Sequence, residues 1–380
     1  MLIIILKKYL VAISLIAVIA FAYGLATGIY KIFPYELLDD TKKILMSEKN
    51  AEQFQVDKFV YETDVDSLIR IEGKEDVITK RNELVEYIWN GNTFPKSKLP
   101  QNIEQNIIDS RYLRMENLQK IDKISYEMEY GINSISYLFF PKEGSKNRII
   151  VYHQGHDGDF YNGLNTIEYF VKNGYTVMAF SMPLLGMNSQ PVVKTEDFGP
   201  IILKSHDHLR YVESDDLKPI KFFFEPIAVS INYLDMNYHF DEYYMVGISG
   251  GAWITMYYPA LDDRIVQSYS VAGPLPLYLR SNYNIMGDYE TELPELIRIA
   301  NELEAYVMSS YGENRKFVQI YNKYDPCCWS GTLFETYEET VRNKVAELGS
   351  GEYDIFLDDS HKEHKISNYA LNGILESMEG

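Results

Sequence analysis

The chain has 380 residues, 46% apolar and 24% charged, which suits a large buried core and neither a disordered nor a fibrous protein. Its 36 Lys and Arg face 55 Asp and Glu, a net charge of −19. That balance argues against a sequence-independent nucleic-acid binder, whose affinity rests on neutralising phosphates. The two cysteines are adjacent, as Cys327-Cys328, so neither a disulfide framework nor an ordinary long-loop bridge is available. Two buried thiols are the expected state, with oxidation to a strained ring as the alternative in an exported protein.

Residues 9–30 read YLVAISLIAVIAFAYGLATGIY, with no charged side chain, about the length that spans a bilayer core. Lys7 and Lys8 precede the run, which favours a cytoplasmic N-terminus and places the remainder on the extracytoplasmic side of the membrane. An uncleaved single-pass signal anchor over 1–31 is expected. The alternative is a cleaved signal peptide, since Ala20-Phe21-Ala22 has a small-x-small pattern. A buried globular helix fits poorly, because such helices normally carry a polar stripe. Residues 32–116 are polar, irregular and mostly helical in pattern, broken by FPKSKLP, and read as a membrane-proximal helical extension.

From residue 117 the rhythm changes. KIDKISYEMEY and SISYLFFPK flank Gly131-Ile132-Asn133 as an antiparallel hairpin. Short apolar runs follow at 148–153, 175–182, 242–248, 265–273, 316–325 and 353–359, separated by amphipathic stretches. Continuous apolar runs are strands buried on both faces, and the stretches between them are crossover helices. The expected fold class is α/β, a mostly parallel, doubly wound sheet occupying 117–380. Segments 183–222 and 274–293 are too long for plain connections and are expected to form lid insertions or a pocket wall over the carboxyl ends of the strands.

Gly247-Ile248-Ser249-Gly250-Gly251 fits G-x-S-x-G between a strand and a helix. In that setting the turn is sharp, the glycines permit close packing, and Ser249 is exposed at a helix N-terminus as a nucleophile. A hydroxyl nucleophile needs a base, and the base needs an orienting acid. The order Ser, acid, His points to Asp325, where Asp-Pro ends a strand, and then to the loop holding His361 and His364. His364, directly before the last helix, is the favoured base; His361 is the alternative. His206 and His208 precede the nucleophile and suit a pocket wall or the surface. A metal site from His206, Asp207 and His208 is conceivable, but adjacent ligands without a distant partner are a weak pattern, and no metal or cofactor is expected. Oxyanion donors are expected at the N–H of Gly250 and in the loop HQGHDG, at His156.

Together HQGHDG, GISGG, YNKYDPCC and SHKEHKIS, in this order, resemble the α/β-hydrolase superfamily over about residues 117–378. Within it, the His156 loop and the Asp-Pro-Cys turn look most like the acetyl xylan esterase and deacetylase branch and its prolyl-oligopeptidase-like relatives. The resemblance implies a triad of Ser249, Asp325 and His364, oxyanion donors at Gly250 and His156, and a short-chain acyl or acetyl ester substrate, small or carried on carbohydrate. A peptidase or thioesterase on the same triad is the alternative, as is a non-catalytic anchored binding protein on a hydrolase scaffold. The chain departs from the branch at Gln154, where a His often precedes the loop glycine, and in 183–222.

Overall fold

The computed structural model describes residues 56–281 and 286–380, together with residues 14, 16–24 and 27. The chain divides into two units, Met1–Phe54 and Gln55–Gly380. The expected anchor over 9–30 lies largely outside the described residues; those of its residues that are described are helical. Among the described residues no helix is long and apolar enough to cross a membrane.

The second unit opens with helices α1 (Lys58–Glu62) and α2 (Lys74–Ile88), then edge strand β1 (Asn102–Ile107). The hairpin β2 (Leu118–Glu127) and β3 (Asn133–Pro141) follows, turning at residues 129–131. Then come β4 (Arg148–His153), α3 (Leu164–Lys172), β5 (Thr176–Phe180), and the short strands β6 (Val192–Thr195) and β7 (Gly199–Ile202). Helix α4 (Lys221–Asn237), β8 (Glu242–Ile248), α5 (Gly250–Leu261) and β9 (Ile265–Val271) form the centre. The chain closes through α6 (Leu277–Arg280), α7 (Pro294–Ile299), α8 (Glu302–Ser310), β10 (Lys316–Asn322), α9 (Glu338–Glu347), β11 (Glu352–Asp358) and α10 (Asn368–Glu379).

The main sheet has the order β1-β2-β3-β5-β4-β8-β9-β10-β11. Pairing is antiparallel from β1 to β5 through β2 and β3, and parallel from β5 onward. The chain winds one way from β4 to β5 and the other way to β8. The switch point therefore lies at the carboxyl ends of β4 and β8, where open α/β sheets form their ligand crevice.

Alternation along the strands explains the two cores. Ile150 and Tyr152 of β4 face α3 and α10, with Phe170 and Leu371, while Ile149 and Val151 face the layer holding Trp253 and Tyr257 of α5. Every residue of α5 is buried, and α4 is buried from Lys221 to Leu234, as befits crossover helices pressed between sheet and neighbours.

The sheet reaches back to Asn102, ahead of residue 117, because β1 adds to the free edge of β2. The described part of the extension also packs on this body. Val77, Leu84 and Ile88 of α2 join the core, and Arg70 makes a two-pronged bond to the buried Glu304, at 3.1 and 2.6 Å. The amphipathic stretch ELIRIANELEAYVMSS is two helices, not one. Asn301 caps α8 through the Glu304 N–H, at 3.0 Å, and the Glu304 carboxylate accepts from the Asn301 N–H in return, also at 3.0 Å.

Candidate active site

At the end of β8 the backbone of Ser249 turns to φ 58° and ψ −121°, a left-handed conformation that a serine holds only when its surroundings enforce it. Its N–H donates to Val271 O at 2.9 Å, pinning the elbow to β9. The neighbouring glycines are required by contact. A Cβ on Gly247 would lie 2.2 Å from Gly251 O, and one on Gly251 would lie 2.1 Å from His153 O. The turn thus fits only without side chains two residues before and two after Ser249.

The loop after β4 lies directly on this elbow. A Cβ on Gly155 would stand 2.6 Å from Ser249 Cβ, and one on Gly250 would meet the His156 ring at 2.4 Å. Gln154 braces the loop: its Nε2 donates to Asp157 Oδ1 at 2.6 Å and its Oε1 accepts from the Tyr152 hydroxyl. The Gly250 N–H begins α5 and is one of the donors a helix leaves unpaired at its start. The His156 N–H makes no hydrogen bond among the described residues.

Asp325 and His364 meet at the next strand ends. His364 Nδ1 donates to Asp325 Oδ2 at 2.6 Å, while Asp325 Oδ1 accepts from the Cys327 N–H at 2.8 Å. Asn322, which the sequence pattern does not single out, ties both loops together. Its Nδ2 lies 2.9 Å from Lys365 O and 3.3 Å from Asp325 Oδ2. Burial opposes charge on His364, but the hydrogen bond and negative charge of Asp325 outweigh it and raise the imidazole above its ordinary pKa; Asp157 adds to the rise and His156 opposes it. His361 sits beside Asp358 instead: its Nδ1 accepts from the Glu363 N–H at 3.1 Å and its Nε2 lies 3.3 Å from Asp358 Oδ2 without a hydrogen bond, while Asp358 accepts from the hydroxyls of Ser360 and of Ser367, the cap of α10.

The two insertions converge on His156. Its Nε2 lies 2.8 Å from Glu290 Oε1, 3.1 Å from His206 Nδ1 and 3.2 Å from Asp288 Oδ2. Glu290 is fully buried, which raises its carboxyl, yet the charges and hydrogen bonds of His206 and His156 hold it well below the usual range. Neither Asp288 nor Glu290 carries a sequence signal. His206, Asp207 and His208 do not gather at one point, in keeping with the weakness of that pattern in the sequence. Asp207 pairs with Arg210 at 3.2 Å, and His208 Nδ1 accepts from the Lys204 N–H at 3.1 Å. Cys327 and Cys328, expected as thiols, are joined in a vicinal disulfide, since the turn after Asp325 places both sulfurs on one side.

A cavity of about 910 Å³ lies elsewhere, walled by Trp89, Phe94, Lys98, Glu129, Lys221 and Asp262 among others, and none of Ser249, Asp325, His364 or His156 lines it.

A mostly parallel sheet, a strained strand-to-helix turn at its switch point and an acid–histidine pair after β10 and β11 match the α/β-hydrolase fold. Solved structures agree with this reading. An acetyl xylan esterase from a Paenibacillus species superposes with a TM-score of 0.53 at 14% identity, over 83% of this chain and 98% of its own. An acetyl xylan esterase from a Thermoanaerobacterium species gives 0.52 at 16%, over 80% and 92%. A methylesterase gives 0.52 at 12%, over 89% and 67%. No protein-family model matches the sequence, and no curated protein is similar to it in sequence.

Proposed function

We propose that the chain is a serine hydrolase that cleaves a carboxylic ester through an acyl-enzyme. The observation that carries the reading is Ser249 on its strained elbow after β8, at the same carboxyl end of the parallel strands as the 2.6 Å His364–Asp325 pair after β10 and β11. In this reading Ser249 Oγ attacks the ester carbonyl and His364 Nε2 takes its proton. Asp325 fixes the tautomer by holding Nδ1–H and stabilises the imidazolium that forms. The N–H groups of Gly250 and His156 receive the oxyanion. His364 then returns the proton to the leaving alcohol, and a water activated by the same imidazole releases the acid.

The acetyl xylan esterases that share the fold suggest the substrate class, a short acyl ester of the kind found on carbohydrate. The uncharged run 9–30 after Lys7-Lys8 supports an anchored chain with the hydrolase on the extracytoplasmic side. A panel of p-nitrophenyl esters from acetyl to dodecanoyl, with acetylated xylo-oligosaccharides, tests the substrate. Fastest turnover of the acetyl compounds is expected; a preference for long chains, or cleavage of peptide amides alone, contradicts the assignment.

A further inference from the structure

Three segments distant in sequence bring ligand atoms to one point beside the elbow. His156 follows β4, His206 belongs to the 183–222 insertion and Glu290 to 274–293, and their donor atoms all lie within 4.8 Å of one another, while Asp288 approaches through His156. His156 Nε2 faces Glu290 Oε1 at 2.8 Å, His206 Nδ1 at 3.1 Å and Asp288 Oδ2 at 3.2 Å, and His206 Nδ1 lies 3.1 Å from Glu290 Oε2. The other nitrogen of His206 is committed, because Nε2 donates to Pro183 O at 2.9 Å. In the neutral ring that donation leaves Nδ1 as a lone pair aimed at a carboxylate. A single N–H on His156 satisfies one of its three neighbours and leaves the others facing lone pairs.

We propose that this cluster is a structural zinc site, with His156 Nε2, His206 Nδ1 and Glu290 as its protein ligands and Asp288 beside His156 as their acidic neighbour. Zinc binds imidazole in its neutral form, and with both rings neutral the Glu290 and Asp288 carboxylates carry a charge of −2, which one divalent cation cancels. Burial sharpens the need, since Glu290 is 0% exposed and His206 4%. Tetrahedral zinc, at about 2.0–2.1 Å from each donor, separates its ligand atoms by roughly 3.3 Å, against 2.8–3.1 Å among the two ring nitrogens and the Glu290 oxygens here. The bond from His206 Nε2 to Pro183 O is the outer contact that fixes the tautomer of a metal-bound histidine. Three segments distant in sequence each supply one ligand, so the metal is a clasp. It fastens both insertions to the loop whose His156 ring lies over Gly250.

The test uses the full chain, purified without a metal-affinity tag or chelator, stripped and then titrated with zinc sulfate. Metal content is read whether or not any ester is hydrolysed, so this proposal and the hydrolase reading fail separately. One zinc per chain is expected, bound at about 1 µM or tighter, with a rise in melting temperature. Cobalt should give the strong visible bands of a four-coordinate site without sulfur-to-cobalt charge transfer. His206→Ala and Glu290→Gln should each weaken binding beyond the roughly 10–100-fold that loss of an outer contact costs. Asp207→Asn, one residue along, should bind as the unaltered chain does. A folded chain that takes up no zinc overturns the proposal. So does a cobalt spectrum with thiolate character, or folded ligand variants that bind undiminished. If the variants do not fold, the cobalt spectrum of the unaltered chain decides.

Discussion

His364 carries the most discriminating tests at the scale of single residues. His364→Ala should reduce turnover by about a thousandfold or more, because Ser249 loses its proton acceptor, while the oxyanion donors and binding leave a residue of catalysis. His361→Ala should cost at most about tenfold, roughly 1.4 kcal/mol of barrier, since that ring sits beside Asp358, at 3.3 Å. Steady-state kinetics on variants shown to be folded by circular dichroism compare the two; the reverse ranking contradicts the assignment. The acid limb of kcat/KM follows from the same pair. Only neutral His364 accepts a proton, so activity rises with pH through its pKa, which Asp325 holds above the ordinary imidazole value of about 6.5. Asp325→Asn should lower turnover severely and move that limb to lower pH. An unmoved limb would show that some other group titrates. The sharp turn at Ser249 and the strand-end turn at Asp325 were legible because G-x-S-x-G between strand and helix, and Asp-Pro at a strand end, are local patterns with local causes. Asn322 was not, since an asparagine ending a strand looks like any other until two loops are seen to share it.

Arg280 shows what the elements add. It is 0% exposed and pairs with the buried Glu302, while its Nε donates to Leu275 O at 2.8 Å and its Nη1 to Thr291 O at 2.8 Å. One side chain therefore folds the 274–293 insertion back on itself and delivers Asp288 and Glu290 to His156. Arg280→Ala should cost about 3–5 kcal/mol in urea unfolding, because Glu302 is left charged and uncompensated. A loss under about 1 kcal/mol would mean that the insertion is held by something else. Gly251→Ala makes a second case: its Cβ would lie 2.1 Å from His153 O, an overlap worth roughly 1–3 kcal/mol in the same measurement. Most strands were readable from runs such as RIIVYH and EYYMVGI, whose bounds match β4 and β8. The break between α7 and α8 was not, because ELIRIANELEAYVMSS keeps its apolar period across Asn301, and only the capping exchange with Glu304 ends one helix and starts the next.

For the whole molecule, the mostly parallel sheet and the placing of the elbow between strand and helix followed from the alternation of strands and helices, whereas the strand order and the docking of the N-terminal extension did not. Residues 56–116 are polar in sequence, yet Arg70 and Lys80 converge on Glu304 and Trp89 Nε1 donates to Glu225 at 2.7 Å, contacts between segments more than a hundred residues apart. A chain beginning at residue 56 should therefore fold and be recovered without detergent, while the full chain should stay with membranes after a carbonate wash. Release of the full chain by that wash contradicts the anchor reading of 9–30. The central claim, that Ser249 is an activated nucleophile at the switch point of the sheet, is tested most directly by a fluorophosphonate probe with mass spectrometry of the labelled peptide. One phosphonyl group per chain on Ser249, lost in Ser249→Ala and strongly slowed in His364→Ala, is the expected result. A folded chain that stays unlabelled, or labels at another residue while Ser249 remains free, contradicts it.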